Sequence, residues 1–197
     1  MTDQVDASRR QFLTTATVAT GAIGAAFAIT PFLASWQPSA RAKALGAPVE
    51  VDIGKLEPGA LVKVEWRGKA VYVVHRTPQM LAQLKEMGPR LRDPESEDSE
   101  QPEYAKNAVR AIKPDFLVLT GVCTHLGCAP LARFEPGDVT TGDAHWPGGF
   151  FCPCHGSKFD LAGRVFKDVP APTNLTVPPY EFLSDTKILI GVDQGNA

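Results

Sequence analysis

Two short segments decide what this chain can be: C-T-H-L-G-C at residues 123–128 and C-P-C-H-G-S at residues 152–157. They contain all four cysteines of the 197-residue chain. Each segment also has a histidine close behind its first cysteine, His125 after Cys123 and His155 after Cys152. Structural cysteines rarely cluster in this way, so the pattern indicates metal, disulfide or redox chemistry.

Three kinds of site use such residues. A zinc site could combine two thiolates with two imidazoles, but zinc fingers typically pair both cysteines in one knuckle and leave no cysteine over. Two disulfides would suit an exported protein, but they leave the repeated pairing of cysteine with histidine unexplained. A [2Fe–2S] centre with two cysteines on one iron and two histidines on the other accounts for that pairing and is favoured.

The two segments resemble the C-T-H-x-G-C and C-x-C-H-G-S motifs of Rieske proteins, in particular those of cytochrome bc complexes. The similarity covers nearly the whole chain and includes residues 169–172, V-P-A-P. It implies a Rieske [2Fe–2S] cluster in an electron-transfer subunit of a quinol–cytochrome c oxidoreductase. Such a subunit accepts one electron from quinol, with a proton through a cluster histidine, and passes the electron to a c-type cytochrome. The alternative is the Rieske subunit of a periplasmic metalloid oxidase.

The resemblance also implies the ligands. Cys123 and Cys152 would bind the inner iron, His125 and His155 the outer iron, and Cys128 would form a disulfide with Cys154. Two neutral imidazoles in place of thiolates remove negative charge from the iron, so the potential rises toward the upper end of about −150 to +300 mV. Because a metal ion also lowers the pKa of a bound imidazole, either histidine could take a quinol proton.

Three neighbours complete the expected site. By resemblance, Ser157 donates its hydroxyl to a bridging sulfide, and Leu126 lies at the tip that enters the quinol pocket of cytochrome b. Pro170 belongs to a proline loop that covers the cluster. The chain departs from the family pattern at Phe159, where many members have tyrosine, and at Val169, where glycine is frequent.

The N-terminal arm predicts an export signal and a membrane anchor. No charged residue occurs from Gln11 through Ala40, and residues 12–37 are long enough for one transmembrane helix. Residues 1–11 contain Arg9-Arg10, which resembles a twin-arginine signal and is expected to stay in the cytoplasm. A cleavable signal peptide ending near 40–42 is the alternative, but its apolar region would be shorter than this one.

These features predict a single-pass protein of a bacterial inner membrane, with a short flexible tether at 38–47 and a periplasmic Rieske domain at 48–197. The cluster-binding loops are expected at about 121–172. Cytochrome b and a cytochrome c1-type subunit are the expected partners, in a dimeric complex. Nucleic acid is not an expected partner, because the net charge is −2 and there is no basic patch with interleaved aromatic residues.

The body is predicted to be mainly β: an antiparallel sandwich with a small cluster-binding subdomain and one helical insertion. Apolar and β-branched runs predict strands at Val49–Asp52, Leu61–Trp66, Lys69–Arg76, Phe116–Thr120, Tyr180–Leu183 and Lys187–Val192. Helical spacing of methionine and leucine predicts a helix over Pro78–Arg92 that packs one face on the sheet. The acid-rich stretch Asp93–Glu103 is expected to be a solvated loop, and His75 and His145 are expected to be structural or exposed.

Overall fold

A computed structural model describes residues 6–192 of the chain, which divide into two compact units at Ala44/Leu45. The first unit is dominated by α1 (Ala7–Ser35), which Asp6 caps by accepting hydrogen bonds from the backbone N–H groups of Ser8 and Arg9. This helix and its continuation to Leu45 are long and apolar enough to cross a membrane. Because α1 begins at Ala7, the paired arginines form its first turns rather than a separate segment.

The predicted tether contains a short helix. Within 38–47, α2 (Ala40–Leu45) begins after Ser39, whose hydroxyl accepts a hydrogen bond from the Ala42 N–H. Alanine, lysine, arginine and leucine are good helix formers, which explains why this stretch winds. A helix this short is marginal in isolation, so flexibility of the tether stays a prediction.

Within the described residues, the second unit consists of nine strands in three antiparallel sheets, with the orders β1-β9-β8, β2-β3-β4 and β5-β6-β7. The first two sheets use strands that were predicted: β1 (Val49–Asp52), β2 (Leu61–Trp66), β3 (Lys69–His75), β4 (Phe116–Thr120), β8 (Tyr180–Ser184) and β9 (Lys187–Ile190). The bounds of β1, β2 and β4 are the predicted ones, and β3, β8 and β9 differ from the prediction only at their last residue, by one or two positions. The remaining strands are β5 (Leu131–Arg133), β6 (Gly149–Cys152) and β7 (Ser157–Phe159).

One apolar core joins the first two sheets. Val71 and Val73 of β3 and Leu117 and Leu119 of β4 are fully buried with Ile188 of β9. Burial of such side chains contributes about 1.5–3 kcal/mol each relative to exposure. The predicted antiparallel sandwich is therefore confirmed, and the third sheet forms a smaller subdomain, with one cysteine segment in its β6–β7 hairpin and the other in the connection from β4 to β5.

The predicted helix over Pro78–Arg92 is too long. An α-helix, α3, spans only Pro78–Leu84, and a single 3-10 turn follows at Gly88–Arg90. Pro89 explains the break, because proline lacks an N–H and disfavours helical geometry at the preceding residue. The buried Met80 and Leu84 fill a core as expected, but they pack on Leu161 and Ala162, in the turn after β7, and not on a sheet.

The prediction of a solvated loop at Asp93–Glu103 is wrong at its start. Asp93 is 6% exposed, and its carboxylate accepts hydrogen bonds from the Ser99 hydroxyl and from the backbone N–H of Glu97. Asn174 donates to the Asp93 carbonyl at 2.9 Å and to the hydroxyl of the buried Ser96. The composition of this stretch predicts an exposed loop, but the buried Asp93 carboxylate accepts hydrogen bonds from the following residues and folds the start of the stretch into a compact turn.

Buried arginines fasten the small subdomain to the sandwich. Arg76 and Arg110 donate to backbone carbonyls of the 161–163 turn, and Arg164 pairs with the buried Asp160 at 2.8 Å. Burial lowers the pKa of Arg76 and of Arg110 to about 10, because the attraction of Asp160, joined by Asp115 for Arg76 and by Asp93 for Arg110, does not fully replace the lost hydration. Both guanidinium groups still carry their charge at neutral pH and act as hydrogen-bond donors to the turn.

Candidate metal centre

Both cysteine segments fold into the same backbone turn. The Gly127 N–H donates to the Cys123 carbonyl, and the Gly156 N–H donates to the Cys152 carbonyl, each at 2.9 Å. Both glycines have positive φ, 83° and 77°, a conformation that a side chain disfavours. A glycine four residues after the first cysteine thus sets an equivalent turn in each segment, which we call loop 1 (123–128) and loop 2 (152–157).

The two loops are closed and supported differently. In loop 1 the Cys123 N–H donates to the Cys128 carbonyl at 2.8 Å, and the Tyr72 hydroxyl of β3 donates to the carbonyl of Pro130 just beyond the loop. Loop 2 is the connection of the β6–β7 hairpin, in which Cys152 and Ser157 are directly paired. Loop 1 is therefore attached to the large sandwich, whereas loop 2 belongs to the small sheet.

The four expected ligands come together with their thiols inside and their imidazoles outside. Cys123 and Cys152 are free cysteines, each 2% exposed, and their side chains lie close enough to interact. Burial raises the pKa of the Cys123 thiol. The His125 and His155 rings meet edge to face with centroids 4.8 Å apart, and His125 is half-buried while His155 is exposed.

Cys128 and Cys154 form a disulfide between the loops, with their Cα atoms 6.7 Å apart. This confirms the pairing that the resemblance implied. The Cys152 sulfur also lies within 4.8 Å of both disulfide sulfurs, a grouping that resembles a three-cysteine metal site. The bonded pair has no thiolate to offer, which leaves the two free thiols, Cys123 and Cys152, as the candidate sulfur ligands.

This donor set fits a Rieske cluster. Two buried thiols in contact, two imidazoles in contact nearer the surface, and a covalent link between the two loops match a centre with one iron bound by sulfur and the other by nitrogen. A structural zinc site, by contrast, would bring the four ligands to one point without needing a disulfide.

Ser157 is placed to act on a ligand sulfur. Its side chain is fully buried and lies close enough to the Cys123 thiol to lower the pKa of that thiol, while its Oγ accepts a hydrogen bond from the Ala171 N–H at 3.1 Å. Ser157 thus connects loop 2, the first ligand of loop 1 and the segment V-P-A-P. The expected hydrogen bond from Ser157 to a bridging sulfide stays a prediction. The Ser157 side chain does lie on the side of Cys123, where such a bond would need it.

The residues expected at the tip and in the cover differ in exposure. Leu126 is 71% exposed, which is unusual for a leucine within a closed loop. Pro170 is exposed and Ala171 is buried, so the proline loop (residues 169–173) lies across the site with one face inward. Val169, where the family pattern favours glycine, packs against the core of Leu91, Trp146 and Phe166, and the positive φ falls one residue earlier, at Asp168.

Two contacts of the proline loop were not predicted. The Thr124 hydroxyl donates to the Thr173 carbonyl at 2.7 Å, and the Arg92 guanidinium donates to carbonyls at 169, 171 and 172. The predicted helix over 78–92 places Arg92 at its end, whereas the α-helix ends at Leu84. The Gly88-Pro89 pair is the sequence signal that could have corrected this, since it ends the helix before Arg92.

The other two histidines lie outside the site, as expected. His75 Nδ1 is 2.6 Å from the Leu56 carbonyl oxygen, and its ring stacks on Phe116 with centroids 4.5 Å apart. His145 is exposed, and its backbone N–H and carbonyl bond to Asp143 and Arg90. Both residues therefore have structural surroundings.

The comparisons with known proteins agree with this geometry. Residues 1–39 match the family described as "Ubiquitinol-cytochrome C reductase Fe-S subunit TAT signal", and residues 94–181 match "Rieske [2Fe-2S] domain". The ubiquinol-cytochrome c reductase iron-sulfur subunit of Allochromatium vinosum is 60% identical over 193 residues, covering 98% of this chain and 93% of the relative. The subunit of the same name from Blastochloris viridis is 45% identical and covers 96% of each chain. A solved chain titled "Hyperthermophilic respiratory Complex III" is 27% identical with a TM-score of 0.47, covering 89% of this chain and 98% of its own.

Proposed function

Because the chain belongs to the family of Rieske iron–sulfur subunits of ubiquinol–cytochrome c reductase, we propose that loops 1 and 2 together form its quinol-oxidising electron acceptor. The protein is an electron-transfer subunit that carries a Rieske [2Fe–2S] cluster. Its family favours the quinol–cytochrome c reductase over the metalloid oxidase that the sequence left as an alternative.

One observation supports the ligand assignment most strongly: equivalent turns bring two free thiols inward and two imidazoles outward. We assign Cys123 and Cys152 to the inner iron, and His125 and His155 to the outer iron. When bound, the [2Fe–2S] cluster accepts one electron and gives it up again. The protein residues hold it, shield it and exchange the accompanying proton.

The proton passes through a histidine in this proposal. A metal-bound imidazole releases its outer proton more readily than a free one, because the metal charge favours the deprotonated ring. His155 is exposed and His125 half-buried, so a quinol hydroxyl that docks at this end can donate its proton to either ring. The exposed Leu126 beside them offers the apolar contact for the quinol pocket of cytochrome b.

The remaining assignments concern place and partners. We propose that Rieske domain 48–197 lies in the periplasm, tethered at 38–47, and works between cytochrome b and a cytochrome c1-type subunit of a dimeric complex. Matching of residues 1–39 to a twin-arginine signal, and the apolar α1, support export with a retained anchor. The double variant Arg9→Lys with Arg10→Lys keeps the charge and should block export. Normal periplasmic placement of that variant would contradict the signal.

An inhibitor of the quinol pocket tests the function itself. In the intact complex, such an inhibitor should change the EPR spectrum of the reduced cluster, because the outer histidines face that pocket. The same inhibitor should have no effect on the isolated chain, which lacks cytochrome b. An unchanged spectrum in the complex, with the inhibitor shown to be bound, would contradict docking of this tip in the quinol pocket.

A further inference from the structure

We propose that Arg92 is a positioning residue that clamps the proline loop over the cluster site. The guanidinium donates at 3.1 Å to the Ala171 carbonyl, at 3.4 Å to the Pro172 carbonyl and at 3.2 Å to the Val169 carbonyl. Arginine suits this task, because its rigid fork presents several donors in one plane. A lysine at the same place would offer a single point of attachment.

The backbone of Arg92 is fixed next to the same loop. The Arg92 N–H donates to the Val165 carbonyl at 3.0 Å, and the Lys167 N–H donates to the Arg90 carbonyl at 2.9 Å. Leu91 and Phe166 form the antiparallel bridge between these two bonds, and both are buried. The exposed side chain of Arg92 therefore starts from a fixed backbone position beside the proline loop.

The segment after Arg92 is fixed as well. The buried Asp93 carboxylate gathers donors from residues 97–99, and Asn174 bonds to the Asp93 carbonyl while its own amide oxygen accepts from the Val165 N–H. Asn174 directly follows the proline loop. Arg92 therefore bonds to the proline loop itself, and Asp93 bonds to Asn174, the residue that follows the loop. The folded start of the acid-rich stretch thus helps to hold the proline loop in place.

The opposite side of the proline loop faces the ligands. The Ala171 N–H donates to Ser157 Oγ, which contacts the Cys123 sulfur, and the Thr173 carbonyl accepts from Thr124 of loop 1. Two prolines leave this loop few N–H groups with which to hold itself in place. Arg92 supplies donors from outside, and its release should let Ala171 move away from Ser157.

Amide exchange tests the clamp in the full-length, cluster-loaded protein. In a peptide that includes 169–173, only Val169, Ala171 and Thr173 of the loop carry exchangeable amides. Arg92→Gln should raise the exchange rate of the Ala171 amide by about tenfold, the effect of losing charge-assisted hydrogen bonds from a locally opening segment. Arg92→Lys should raise it less. Iron should also pass from the reduced variant to a chelator faster than from the parent.

The matched control is Arg90→Gln. It removes the same charge two residues away, but Arg90 donates to the His145 carbonyl and pairs with Asp143, not with the loop. In Arg90→Gln, the amide exchange rates of residues 169–173 should stay within about twofold of those of the parent protein. This result would separate the loss of the Arg92 hydrogen bonds from a general effect of removing one positive charge. If Arg92→Gln does not fold, Arg92→Lys decides: a rise above twofold supports the clamp and a smaller one overturns it.

The proposal rests on the proposed ligand set, but the two fail in different ways. Iron and sulfide bound by the parent protein test the ligand set and are measured first. With a normal cluster present, an exchange rate in Arg92→Gln within about twofold of the parent would overturn the clamp alone. An equal rise in Arg92→Gln and Arg90→Gln would also overturn it.

Discussion

Loop 1 and loop 2 share a backbone turn but exchange the roles of their side chains. Both begin with a buried free cysteine, and both place a left-handed glycine four residues later that bonds back to it. In loop 1 the histidine stands two residues after the cysteine, and in loop 2 it stands three residues after. The positions that the histidines vacate hold Leu126 in loop 1 and Cys154 in loop 2.

This exchange has a physical reason. The two first cysteines meet at like positions, but the disulfide, the histidine pair and the serine contact each join unlike positions of the two loops, so those positions carry different residues. The sixth position of loop 1, Cys128, bonds to the third position of loop 2, Cys154. The sixth position of loop 2 is Ser157, which turns toward the sulfur of Cys123. The common backbone turn therefore sets where the two thiols lie. The spacing between cysteine and histidine, which differs between the loops, leaves the fourth position of loop 1 free for the exposed Leu126.

The largest expected effect is loss of the cluster. Alanine at Cys123, His125, Cys152 or His155 should reduce bound iron and acid-labile sulfide to background, since each residue fills one coordination site. Metal analysis with low-temperature EPR measures this. Any one of the four variants that kept a normal Rieske signal would remove that residue from the ligand set.

A sharper version of this test exchanges the offsets. The double variant His125→Leu with Leu126→His gives loop 1 the histidine position of loop 2, without changing composition. We expect it to lose the cluster as completely as His125→Ala, because the ring would take the place of the 71% exposed Leu126. A normal cluster in this double variant would mean that the two-residue spacing between Cys123 and His125 is not required to direct the imidazole toward the iron.

Breaking the covalent link between the loops should cost less. Cys128→Ser should lower the free energy of unfolding by about 2–4 kcal/mol while leaving all four ligands present. Chemical denaturation of the cluster-loaded protein measures the loss. Cys154→Ser is the control and should have the same effect, and the double variant should not exceed either by more than a few tenths of a kcal/mol. Thiol trapping that found both cysteines free would contradict the link.

Hydrogen-bond donors at positions 157 and 159 should shift the midpoint potential of the cluster. Ser157→Ala should lower the midpoint potential by roughly 20–60 mV, because a net hydrogen bond of about 0.5–1.5 kcal/mol to a ligand sulfur favours the reduced state. Phe159→Tyr should raise it within the same range. Phe159 is buried two residues beyond Ser157 and lies on the same face of β7, and by the family resemblance a tyrosine hydroxyl at this position donates to a cysteine sulfur.

Protein-film voltammetry of each variant, compared with the parent protein, would settle both signs. A potential unchanged or lowered by Phe159→Tyr would mean that the hydroxyl does not reach a sulfur. For Ser157→Ala, an unfolding measurement is needed beside the potential, since the Ala171 N–H would be left without its acceptor.

The smallest effect on the isolated chain is expected at Leu126. Leu126→Ala should change the free energy of unfolding by less than about 0.5 kcal/mol, as for other exposed positions. In the intact complex the same change should slow quinol oxidation, because it removes the apolar contact with the quinol pocket. Val139→Ala is the matched control, since Val139 is another exposed apolar residue of the small subdomain, 87% exposed. Equal turnover of the two variants would contradict a special role for Leu126.

The sequence predicted the sandwich and the ligand loops because both have strong local patterns. Alternating apolar runs mark β2 and β3, and the cysteine-histidine pairs mark the loops. The small sheet was not predicted, because β5 and β7 have three residues each, too few to show a period. The contacts of Arg92 with the proline loop and of Asp93 with Asn174 join residues about eighty positions apart, and no local pattern carries that information.

The nitrogen ligands of the reduced cluster test the central claim most directly. Pulsed EPR of the holoprotein, grown with ¹⁵N-labelled histidine, resolves nitrogen nuclei bound to the reduced iron. One histidine from each loop predicts two distinct ¹⁵N couplings, from His125 and His155, whose rings already meet edge to face in this fold. A single nitrogen coupling, or none, would contradict a centre built from equal shares of loop 1 and loop 2.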